Sequence, residues 1–192
     1  MDSSFQAEGL LGAGRGALIT AMFGAGWLGW GLGSARAFNG FIAPTFGFTA
    51  LFLLFCSIYF IRKGRLLRRH SPAVCASTRQ TNLKWFLLVV LMEAFAIVLV
   101  SIPANRFRRA DLATDWCAMI VGVHFLPIAK IFRARNFGVL GILMILWCVL
   151  CWAVFQASMI AISASLGTGV LLWGICVSSL FRARRIAHSL SA

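Results

Sequence analysis

Long apolar runs separated by short polar stretches dominate the chain. Residues 16–33, 37–61, 85–102, 137–155 and 157–181 each approach or exceed the roughly 18–20 residues that a helix needs to cross about 30 Å of hydrocarbon. The third run is interrupted only by Glu93. A sixth run, 112–132, is less pure, because it contains Asp115, His124 and Lys130. Polar and apolar residues nowhere alternate over ten-residue stretches, so a membrane β-barrel is excluded. The last two runs are separated by little more than Gln156, which makes them antiparallel neighbours. The pattern predicts an all-α integral membrane protein: a six-transmembrane-helix bundle forming one domain over residues 1–192.

Composition supports that reading. Hydrophobic residues make up 60% of the chain and charged residues 12%, about half the charged share of a soluble domain. The net charge of +13 would otherwise point to nucleic acid, but 17 Phe and 7 Trp exclude a basic disordered tail. With six spans, segments 1–15, 62–84, 130–136 and 182–192 hold fourteen Lys/Arg and the opposite segments hold four. Basic residues collect on the cytoplasmic side, so both termini are expected there, in a multi-pass protein of a plasma or bacterial inner membrane. The basic loop 62–84 is then explained by topology, with an anionic lipid headgroup as the one specific partner it suggests besides the bilayer itself. No nucleic-acid partner is expected. Its Ser/Thr-rich part, 71–82, reads as mobile. Ala35-Arg36-Ala37 resembles a signal-cleavage site, but the acidic leader with Asp2 and Glu8 argues for a retained first helix.

Chemistry is sparse. No phosphate-binding glycine loop, nucleophile elbow or zinc-protease motif occurs, and neither a catalytic set nor a cofactor is expected. Cys148 and Cys151 form a CxxC deep in a predicted span, where thiols act as small apolar groups, so packing is the expected role. Cys117 lies seven residues before His124, about 10 Å along a helix, too far for one metal shell. No metal is expected.

Small residues recur every fourth position in the first helix, at Ala13, Ala17, Ala21, Ala25, Gly29 and Gly33, and in the last, at Ala157, Ala161, Ser165 and Gly169. Such ridges let helix backbones approach closely in lipid. Burial of each ridge, even against the other, is the expectation; a homodimer seam along the first helix is the alternative. Pro44 and Pro127 fall within spans and predict local kinks.

Ionisable groups within a bilayer need a partner or a wet cavity. Counted from the helix ends, Glu93 lies about 12 Å from the cytoplasmic boundary and so does His124, on consecutive antiparallel helices. A carboxylate and an imidazole at one depth can share a proton near neutral pH. The reading that follows is a small-solute or proton-coupled transporter or channel, with Glu93 and His124 on the pathway. Arg106, Arg108 and Arg109 would form an anion-attracting vestibule, or else pair locally with Asp111 and Asp115. Arg36 and Asn39 on the other outer turn could join either arrangement. The alternatives are a non-catalytic subunit or sensor that binds a partner, and an intramembrane enzyme acting on a lipid or quinone with the same pair as acid and base.

Overall fold

The computed structural model describes residues 3–69, 76–106, 110–131 and 134–189. The described chain is all helical: α1 (Ser3–Ser34), α2 (Ile42–Arg69), α3 (Ala76–Arg106), α4 (Ala110–Ile131), α5 (Arg135–Val154) and α6 (Ala157–Ser189). Among the described residues, five stretches are long and apolar enough to cross a membrane: Ile42–Leu67, Lys84–Ala104, Ala113–Ile131, Arg135–Val154 and Ala157–Ser189. They point to a membrane location. The first helix is not among them, because nine glycines, half of the chain's 18, dilute its apolar side chains.

Several boundaries differ from the sequence expectation. Where it is described, the basic segment 62–84 is helical, since α2 runs on to Arg69 and α3 already begins at Ala76; of the stretch 71–82 expected to be mobile, 76–82 is helix and 71–75 lies outside the described residues. Arg, Leu, Lys and Gln are all good helix formers, and they carry both helices past the apolar runs. Pro44 sits in the first turn of α2, where no backbone N–H is needed, so it imposes no kink. Pro103, beyond the predicted third span, lies inside α3, and Pro127 lies inside α4. Each leaves the carbonyl four residues earlier, Leu99 and Val123, without its helical partner.

The α1–α2 turn is tightly specified. Arg36 adopts φ 52°, its N–H bonds Gly33 O at 3.0 Å, and the Ala37 N–H bonds Leu32 O at 2.9 Å. This is a Schellman stop with arginine where glycine is usual. Asn39 Oδ1 then accepts from the Phe41 and Ile42 N–H groups at 3.0 and 2.8 Å, capping α2. Arg36 and Asn39 thus serve the turn.

The helices pack as two compact units. In the first (residues 1–26, 38–76 and 172–192), α1 runs against α2 and α6. A Cβ on Gly14 would lie 3.1 Å from Ile61 N, and one on Gly64 would lie 3.1 Å from Leu11 N, so α1 and α2 touch backbone to backbone. The Trp173 indole donates to Ala21 O at 3.2 Å, and Ala17, Ala21, Leu53 and Cys176 form a buried cluster. Thr20 and Ser57 hydroxyls, also buried there, bond back to carbonyls of their own helices.

In the second unit (27–37 and 77–171), α4 and α5 pack antiparallel. A Cβ on Gly141 would come within 2.5 Å of Gly122 O, so only glycine permits this crossing. Phe125 stacks on Phe137, and Trp116 meets Trp152 edge to face, which fixes the register on either side. The first half of α6 joins α5 where the Trp147 indole donates to Ser163 O at 3.0 Å.

The buried positions of α1 include Ala7, Gly14, Ala21 and Leu28, interleaved with Leu10, Ala17, Gly24 and Gly31, with Leu11, Gly16 and Thr20 beside them. That is a seven-residue repeat with two contact positions, the seam of a left-handed coil. In α6, Ser165, Leu172 and Ser179 alternate with Gly169, Cys176 and Ala183 in the same way. The predicted four-residue ridge departs from this seam. Ala17 and Ala21 are buried, Ala25 and Gly29 half-buried, and Gly33 exposed; Ser165 and Gly169 are buried, Ala161 half-buried and Ala157 exposed. Each four-residue step overshoots a helical turn by about 40°, so the ridge rotates off the contact face.

Candidate functional site

One face of α3 is packed and the rest is open. Between Lys84 and Ala104 its half-buried positions are Phe86, Val89, Val90, Glu93, Ala96, Ile97, Val100, Ser101 and Ala104, while all others are exposed. The steps of three and four trace a single helical stripe. Glu93 is in the middle of it. Helical phase therefore turns its carboxylate toward the neighbouring helix.

From α4, His124 meets it. Nδ1 lies 3.1 Å from Glu93 Oε2, with His124 9% and Glu93 17% exposed at the side chain. The nitrogen is close but not aligned for a formed hydrogen bond. The imidazole also lies within bonding reach of the Val89 backbone, one turn from Glu93 on α3. His124 thus sits over a single α3 turn, with an acceptor on either side and Phe125 edge-on to its ring at 5.8 Å. A small rotation of the ring or carboxylate would align the pair. Farther along the same seam, Ser101 lies near Cys117, seven residues from His124 on the same α4 face.

The remaining predicted residues fall elsewhere. Arg106 ends α3 and is exposed; Arg108 and Arg109 lie outside the described residues, as does the side chain of Asp111. Asp115 faces α5. It is completely buried on the α5-facing side of α4, its carboxylate lies against the Cys148 thiol, and neither oxygen has a well-formed hydrogen bond. Nine residues separate it from His124, half a turn in phase, so the two acidic sites occupy opposite faces of α4. The sequence held the signal: Asp115, Ala118, Gly122 and Phe125 share one helical stripe, which is buried. Cys148 and Cys151 are both fully buried in α5, Cys151 with Ile160 and Ala164. Among the described residues, no group of three His, Cys, Asp or Glu side chains could hold a metal ion.

No protein family, curated protein or solved structure matches this chain. Function must therefore be argued from the Glu93–His124 contact itself.

Proposed function

We propose that the protein is a small proton-conducting or proton-coupled membrane transporter in which Glu93 and His124 exchange a proton within the bilayer. The observation that carries this reading is the 3.1 Å approach of Nδ1 to Oε2 between two largely apolar helices. Neither charge is stable alone in hydrocarbon, but a proton moved across the gap interconverts an ion pair and a neutral pair. Imidazole is the side chain best suited to gain and lose a proton, which makes His124 the natural partner for the Glu93 carboxyl. The incomplete alignment suits a relay better than a strut, because a strut gains from a fixed bond. In this reading Arg106 stands at the α3–α4 end of the route and both termini are cytoplasmic.

The test is proton flux in proteoliposomes across about pH 5 to 8, with wild type, Glu93→Gln and His124→Ala. Wild type should conduct or exchange protons, and more slowly as rising pH removes the imidazolium. Each substitution should abolish that flux while leaving a folded, monodisperse protein. Silent wild type, with both variants merely less heat-stable, would instead assign the pair to helix packing.

A further inference from the structure

The contacts of the first unit set the relative heights of its three helices. Gly14 faces Ile61 and Leu11 faces Gly64, so α2 descends as α1 rises; Gly9 faces Ile186 and Ala21 faces Trp173, so α6 does the same. In that register α2 and α6 run parallel. Arg62 and Arg182 then share one height, opposite the same point on α1, and Arg65 and Arg185 share the next, about 4.5 Å farther on at 1.5 Å per residue. All four are exposed. Glu8 is the one acidic residue among the described residues of this unit.

The side chains above these arginines identify the partner. On α2, exposed Tyr59 (53%) lies one turn before Arg62; on α6, exposed Phe181 (58%) lies one turn before Arg185. Each helix therefore presents an apolar stripe that ends on a cation. A soluble acidic protein or a nucleic acid would match the arginines and leave the aromatic stripe uncovered. A molecule with acyl chains joined to a phosphate matches both.

The geometry points to a binding site for an anionic phospholipid, its phosphate held by Arg62, Arg65, Arg182 and Arg185 and its acyl chains laid along the Tyr59 and Phe181 faces. The site belongs to the helical ends of α2 and α6 and to no loop. Charge at a membrane boundary can serve topology alone, so the test must read selectivity.

The purified full chain would be equilibrated with a mixture of phosphatidylglycerol and phosphatidylcholine, and retained lipid would be read by native mass spectrometry. Wild type should retain phosphatidylglycerol in preference. With each interfacial cation contributing about fivefold, Arg62→Gln/Arg182→Gln should weaken retention roughly 30-fold. The charge-matched Lys84→Gln/Arg135→Gln, on the other unit, should retain it as wild type does. If the double arginine variant fails to fold, Arg182→Gln alone should still lose about fivefold. No preference in wild type, equal loss in both double variants, or displacement of the lipid by equimolar inorganic phosphate would each overturn the proposal.

Discussion

At the scale of single residues, two buried acids on α3 and α4 meet different fates. Glu93 has a histidine 3.1 Å away, whereas Asp115 lies against a thiol and, among the described residues, lacks a well-formed hydrogen bond. A buried carboxyl without a good partner costs stability and returns little. Asp115→Asn should therefore leave the melting temperature at or above that of wild type, and a loss exceeding about 1 kcal/mol would reveal a structural bond absent from this arrangement. The Glu93–His124 pair should behave as a coupled unit. A double-mutant cycle with Glu93→Gln and His124→Ala, read by thermal unfolding in detergent, should give a coupling of about 0.6 kcal/mol, the usual size for polar pairs between membrane helices. Additivity would mean that the two side chains do not sense each other. The common depth of this pair was legible from position along each helix. Rotation was not, because the half-buried stripe that turns Glu93 inward shows only once exposure is known.

At the scale of elements, glycines divide into those that a crossing requires and those that it does not. Gly141→Ala would drive a methyl group against Gly122 O and should destabilise by about 1–3 kcal/mol. Gly174→Ala, where a Cβ meets nothing within 4 Å, should stabilise by about 0.5–1 kcal/mol through helix propensity. Thermal unfolding of the two variants separates them by sign. Arg36 offers the reverse case: its left-handed φ of 52° strains an L residue, so Arg36→Gly should stabilise the α1–α2 turn by about 1 kcal/mol. The existence of all six helices was readable from apolar run length, but their ends were not. Good helix formers beyond the apolar runs extend α2 and α3, and the four-residue ridge mistook the phase of seams that repeat every seven residues.

At the scale of the whole molecule, the number of crossings decides on which sides the termini lie. Five helices qualify on length and apolarity, and an odd number would leave the two termini on opposite sides. The contacts of α1 argue for six. It touches α2 through Leu11 and Gly14, and α6 through Gly9 and Ala21. Its glycines lower its own affinity for lipid, yet they allow the close backbone approach by which membrane helices associate. We therefore expect α1 to cross beside α2 and α6, which puts both termini on one side. Epitope tags placed before Ser3 and after Ser189 should be accessible to antibody from the same face of sealed vesicles, and a tag in the turn at Asn39 from the opposite face. Termini on opposite faces would show that α1 lies outside the membrane. The fourteen-to-four asymmetry of basic residues assumes six crossings. It would then have to be recounted, and Glu93 and His124, one on each of two consecutive helices, would keep their common depth either way.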